Sequence, residues 1–366
     1  MECTQKKQLV AYPRVRIEKT WIRQFYSNKK YRNEGTTHLF SLVSLYSYAN
    51  FRSNYRMIEG DSYLESPGQW ICRIGSLPRI MRVHSKEQAM ETMKYLQDTG
   101  FLRFEYLPTE QDWIRFELSS WTKYCVHLEY NYYSYKASGF FFFPLPIGRA
   151  LMKTSAKAGE RIFSELDAVI DMWLHTVYDD PKVIGSELMP VLYYTDLNGV
   201  PLVSNAYLAQ RWGWSKSRVT RFILRLEKDD FIGRLSFSST RGSIISMTGY
   251  MDMIQGTDTD SNWHMDLHGI LELVALVTGV MNPQDLIIRI SKCGPCERLT
   301  DKMRYVLEIE ALGGLKGTYS ACRVSLIYNS HQVSRNTTVE AGTKSGPQSG
   351  PKETGKDSGY YEEENG

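Results

Sequence analysis

Between Pro201 and Tyr250, the spacing of caps, turns and apolar residues leaves room for very few folds. Ser204 is a favoured N-cap type, and Asn205–Trp212 reads as a short helix stopped at Gly213, just where glycine commonly follows a helix end. Ser215 caps a second helix, Lys216–Lys228, in which Val219, Phe222, Ile223 and Leu226 share one face at the 3.6-residue period. Leu208 and Trp212 supply matching core positions on the first helix. Ala209 is the small residue between the helices, and Val219 the apolar plug. Arg218, Arg221 and Arg225 form a separate stripe at i, i+3, i+7, beside Lys216, Ser217 and Thr220, and the sequence offers them no facing acid. Phe231–Phe237 then alternates as a strand, Ser238–Ser243 is a turn and Ile244–Met247 returns, with Arg234 on the outgoing strand and Arg241 at the tip.

Two helices at this spacing followed by a hairpin resemble the winged-helix superfamily. Within it the segment is similar to MarR-like transcriptional regulators and to the tandem winged-helix replication initiators and replisome organisers of plasmids, phages and integrative elements. The resemblance implies double-stranded DNA as the ligand, with the second helix in the major groove and the hairpin as a wing. The residues it assigns to DNA are Lys216, Ser217, Arg218, Thr220, Arg221, Arg225, Arg234 and Arg241. Ser217, Arg218 and Arg221 would face base edges, whereas Arg225 and Arg241 would meet phosphate. The competing reading is an ordinary solvated amphipathic helix.

Charge is distributed unevenly. Met1–Thr36 carries nine Lys/Arg against three acids, and Pro201–Tyr250 eight against three, whereas Ser85–Leu118 carries four against seven. Two basic segments in a chain of net charge +3 suit a polyanionic partner better than the total suggests.

An internal repeat follows when Ser85-Lys86 is laid on Ser215-Lys216: Leu96 meets Leu226, Phe101 meets Phe231 and Leu102 meets Ile232. The spacing predicts a strand at Gln69–Cys72, helices at Ser76–Arg82 and Lys86–Asp98, and paired strands at Phe101–Tyr106 and Trp113–Leu118. Lead helices are predicted at His38–Ala49 and Ser164–Tyr178. Gln88, Glu91 and Tyr95 stand where the second copy has Arg218, Arg221 and Arg225, and Glu110 and Asp112 flank the first hairpin tip. Carboxylates there oppose phosphate contact. This copy is therefore expected to mediate protein contact, as a homodimer, by analogy with the initiators it resembles.

The expected fold class is α+β: tandem winged helix-turn-helix domains with a small C-terminal α/β unit and a disordered tail. The expected divisions are a basic N-terminal arm (1–36), a first winged helix (37–130), an aromatic connector (131–160), a second winged helix (161–256), a small α+β unit (257–330) and the tail (331–366). The arm, with Lys6, Lys7, Arg14, Arg16, Lys19, Arg23, Lys29, Lys30 and Arg32, reads either as a phosphate-contacting segment or as a solubilising tail partly packed on the first copy. Phe140–Phe143 reads as a buried strand rather than a base-stacking platform, since only Lys136 is near in sequence. In the third unit Leu267–Met281 is helical in pattern, and Met303–Leu312 and Thr318–Tyr328 alternate as strands. Beyond Gln332 the composition cannot bury a core.

His264, His268, Cys293 and Cys296 have the residue types of a tetrahedral zinc set, but one C-x-x-C beside a histidine pair fits reduced thiols and a solvated helix face better. No Gly-rich phosphate loop, H-E-x-x-H or G-x-S-x-G occurs, so no enzyme and no cofactor is expected. Asp167, Asp171, Asp179 and Asp180 read as a solvated helix face. With no secretory or membrane-spanning pattern, the expected location is the cytoplasm. A transcriptional regulator, a replication initiator and an interaction adaptor all remain open as functions.

Overall fold

The structure, a computed structural model, describes residues 14–108, 110–125, 139–152, 162–194, 197, 199–237 and 242–250, together with the backbone of strands at 286–295, 302–311 and 321–329. The first half runs β1 (Arg14–Glu18), α1 (Lys19–Ser27), α2 (Leu39–Tyr48), β2 (Asn54–Ile58), β3 (Asp61–Glu65), β4 (Gln69–Arg73), α3 (Leu77–Met81), α4 (Lys86–Asp98), β5 (Leu102–Tyr106) and β6 (Trp113–Leu118). Then come α5 (Trp121–Tyr124), β7 (Phe140–Pro144), α6 (Leu145–Met152), α7 (Glu165–Leu174), β8 (Thr176–Val177) and β9 (Val191–Leu192). The last part holds α8 (Asn205–Trp212), α9 (Lys216–Lys228), β10 (Ile232–Phe237), β11 (Ser243–Met247), β12 (Leu286–Pro295), β13 (Lys302–Ala311) and β14 (Ala321–Asn329). It is a mixed α+β chain with small antiparallel sheets.

One order of elements is laid down twice. The Ser85 and Ser215 hydroxyls accept from the amides of Gln88 and Arg218, and start α4 and α9, each 13 residues long. Both helices leave by the same route: the Phe101 amide donates to Leu96 O and the Phe231 amide to Leu226 O, each at 2.9 Å. The residue between is left-handed in both, Gly100 at φ 78° and Asp230 at φ 59°. A hairpin follows, β5 with β6 and β10 with β11. The far side of the return strand is covered by β4 in the first copy and by the Val203–Ser243 bridge in the second. Gly242, at φ 120°, is required at that bridge, because a Cβ there would stand 2.8 Å from Val203 O.

The turns before α4 and α9 also match. Trp214 N donates to Ala209 O at 2.9 Å, and Val83 N to Pro78 O at 3.0 Å. Gly213 takes the left-handed position in one copy and Arg82, at φ 59°, in the other. A non-glycine pays strain there. Arg82 is held by its guanidinium, which donates to the carbonyls of Tyr26, Asn28 and Tyr31.

The copies share one hydrophobic core that runs from Ile17 to Tyr250. The lead helices α2 and α7 lie against each other. From Arg14 onward, the segment expected as a basic arm belongs to that core. β1 pairs antiparallel with β7, α1 buries Trp21, Ile22 and Phe25, and Phe25 stacks on Phe231 with ring centroids 4.7 Å apart. Lys30 Nζ and Tyr31 Oη reach Asp229 at 3.0 and 2.8 Å. Apolar residues at helical spacing outweigh the segment's charge in deciding burial. β7 buries Phe141 and Phe143 as the strand reading expects. Its other face is covered by distant cations: Arg14 lies 4.0 Å over Phe142 and Arg16 4.0 Å over Phe140.

The hairpin of the C-terminal region is present as β13 and β14, with β12 added beside it. β14 also pairs with β10, Leu235 opposite Val324, so these strands extend the second copy's sheet. Cys293 lies in β12 beside a register shift between Lys292 and Gly294. His264, His268, Cys296, the Leu267–Met281 segment and residues 330–366 lie outside the described residues. No helix among the described residues is long and apolar enough to cross a membrane.

Candidate nucleic-acid interface

The orientation of α9 follows from its buried side: Val219, Phe222, Ile223 and Leu226. Phe222 meets Trp212 and Trp214 edge-on, at centroid distances of 5.9 and 5.1 Å. Trp214 Nε1 donates to Phe163 O at 2.8 Å. Sequence reasoning passed over Trp214, although an apolar residue just before an N-cap is a recognised entry signal. Thr220, expected at the DNA, is half-buried and joins the helices. Its hydroxyl donates to Lys216 O at 3.0 Å and accepts from Asn205 Nδ2 at 2.9 Å.

α8 is fixed by a buried carboxylate. Asp171 receives both Arg211 Nε and Nη2 (2.8 and 2.7 Å) and Trp212 Nε1 (2.8 Å), with Tyr194 Oη at 3.2 Å. Burial alone would raise its pKa, but the nearby His175 and Arg211 hold the carboxyl well below the usual carboxylate range. Asp167 is equally buried. The reading of both as solvated is thus overturned: their helix α7 is covered on all sides, and each carboxylate is enclosed with its donors.

At about 100° per residue, Ser217, Arg221, Leu224 and Lys228 fall within roughly 30° of the direction opposite the buried stripe. All four are exposed. This outward line differs from the expected arginine stripe, which runs along one flank. Arg218, half-buried, lies 4.1 Å over the Trp214 ring. Arg225 is bound to Glu165 at 2.6 Å and lies over Tyr31, contrary to the expectation that these arginines face no acid. Arg234 is likewise held by Glu227, at 2.9 Å, with its side chain 18% exposed. Glu165 arrives from α7 and was invisible to a reading of one helix. Among the described residues, Lys216 and Arg221 have no carboxylate partner. Arg241 lies outside the described residues.

The first copy's corresponding face is used differently. Gln88 Oε1 accepts from the His84 amide at 3.0 Å, the Tyr95 ring lies tilted against His38 with centroids 4.7 Å apart, and Glu91 is exposed. Lys86 of α4 reaches Asp112 at 3.7 Å. Among the described residues, no group of three or more His, Cys, Asp or Glu side chains is placed to hold a metal. No protein family, curated protein or solved structure matches the chain.

Proposed function

We propose that this chain is a tandem winged-helix protein that binds double-stranded DNA by inserting α9 into the major groove. The observation carrying the proposal is the outward line of α9. Among the described residues Arg221 has no carboxylate partner; it projects between Ser217 and Lys228, beside Lys216 at the helix N-terminus, on a helix locked from behind by two tryptophans. A rigid helix with cations on its outer line meets the requirement of groove reading. Arg221 is the base-reading arginine, bonding guanine O6 and N7 together. Lys216, Arg218 and Lys228 approach phosphates, Arg218 with its guanidinium stacked on Trp214. The repeated element order supports the tandem reading, and the acidic first copy is assigned to protein contact.

The process we propose is transcriptional regulation in the cytoplasm, at an operator. The runner-up is replication initiation on a mobile element, in keeping with the tandem plan of the plasmid initiators that the sequence resembles. Duplex binding is tested by fluorescence anisotropy with the full chain across a salt series. Three or four cationic contacts give a log–log slope of roughly −3 to −4 per protomer. A flat slope would sink the DNA reading. Mapping bound sites in the source genome separates the processes: a palindrome upstream of an operon supports the regulator, and clustered repeats at an origin support the initiator.

A further inference from the structure

Leu224 is the one apolar side chain of α9 that the core does not take. It is 48% exposed, whereas Val219, Phe222, Ile223 and Leu226 are buried. It stands one turn beyond Arg221 and one turn before Lys228, so cations flank it along the helix axis. The corresponding residue of the first copy's α4, by the Ser85-to-Ser215 offset, is the exposed Lys94, an ordinary surface choice. Only the copy with the basic outer line carries a leucine at this position.

Resting on the DNA reading above, we propose that Leu224 is a specificity-determining residue that packs on the C5-methyl group of a thymine, next to the guanine taken by Arg221. The neighbouring charge fits the occupant. Arg221, one turn away, favours a polyanion over an apolar protein surface, while the major groove offers one apolar projection per A·T pair, the thymine methyl. One helical turn rises about 5.4 Å, so the thymine falls one or two base pairs from the guanine, which stacks at about 3.4 Å per step.

The test uses the full chain and a random duplex library to obtain a bound site, followed by duplexes of that site in which single thymines are replaced by uracil. This change removes the methyl and nothing else. At one position, within two base pairs of a guanine, the wild-type chain is expected to lose about fourfold in affinity, the value of one buried methyl. Leu224→Ala is expected to bind thymine and uracil duplexes equally while keeping the wild-type salt slope. Leu224→Met, which restores apolar reach, recovers the discrimination. A wild-type chain that binds duplex DNA yet ignores every uracil replacement overturns the inference alone, as does Leu224→Ala retaining the fourfold preference. Failure to bind any duplex overturns the DNA reading itself.

Discussion

The carboxylate of Asp167 caps two helices at once. Its Oδ1 accepts from the Phe40 amide at the start of α2, 2.8 Å away, and its Oδ2 accepts from the Ser164 amide at the start of its own helix, 3.0 Å away. Ser164 Oγ returns a bond by accepting from the Asp167 amide, completing a capping box. Gly35 lies directly beneath, where a Cβ would stand 2.5 Å from Oδ2. The two copies are therefore joined by a side chain of one entering the helix start of the other. Asp167→Ala leaves two buried amides without partners, at about 1–3 kcal/mol each. The expected result in urea unfolding is a single transition moved to lower denaturant. Two separate transitions, with only one displaced, would show that the copies fold independently.

Asp171 makes stability depend on acid. Its folded pKa is depressed below the ordinary Asp value of about 3.9, so its contribution is present above that value and is lost as pH falls below it. Asp171→Asn leaves Arg211 without its buried partner and costs about 3–5 kcal/mol near neutrality. Unfolding curves recorded from pH 7 to pH 2 are expected to show the gap between wild type and variant narrowing only below about pH 4, where the carboxylate of the unfolded chain takes up a proton that the folded one still resists. A gap that stays constant down to pH 2 would mean that the charge of Asp171 contributes nothing.

Local elements were legible in the sequence because they are locally determined. Ser85, Ser204 and Ser215 each cap the helix that follows, and the apolar period of α9 from Val219 to Leu226 is its buried face. What escaped was everything set by distant partners. Glu165 takes Arg225, Asp229 takes Tyr31, and Arg14 and Arg16 cover phenylalanines more than 120 positions away. The arginine stripe is a true periodicity, but it runs along one flank of α9 rather than on its outward line. A spacing of i, i+3, i+7 fixes only that residues are neighbours, and the direction of the buried stripe decides which of them look outward.

Self-association is proposed through the first copy, but on a different surface from Gln88 and Tyr95. Tyr55 and Leu64 pair across the β2–β3 ribbon and lie beside Met57, with exposures of 69%, 43% and 66%. The ribbon is pinned by buried Glu65, which accepts from Arg56 Nε at 3.0 Å and from the Ile71 amide at 2.7 Å. Replacing Tyr55 and Met57 by Asp, at solvent-facing positions, should leave the thermal midpoint nearly unchanged and convert dimer to monomer in sedimentation equilibrium. Unchanged association would exclude this face.

Arg221 and Arg225 stand one turn apart on α9, yet their loss should have opposite signatures. Arg225 is held by Glu165 and lies over Tyr31 and Phe222, so Arg225→Ala removes an internal tie. A partly exposed ion pair of this kind contributes about 0.2–1 kcal/mol, and the uncovered rings add packing loss, so a measurable fall in melting temperature is expected. Because that guanidinium is already neutralised, DNA affinity and its salt slope should change little. Arg221→Ala should leave the melting temperature unchanged, since nothing among the described residues bonds to the side chain. It should instead relax preference at one guanine by about 1–3 kcal/mol in a duplex selection. If Arg225→Ala abolishes binding while Arg221→Ala leaves both affinity and preference intact, the groove is met by the flank of α9, and the outward line has been assigned to the wrong side of the helix.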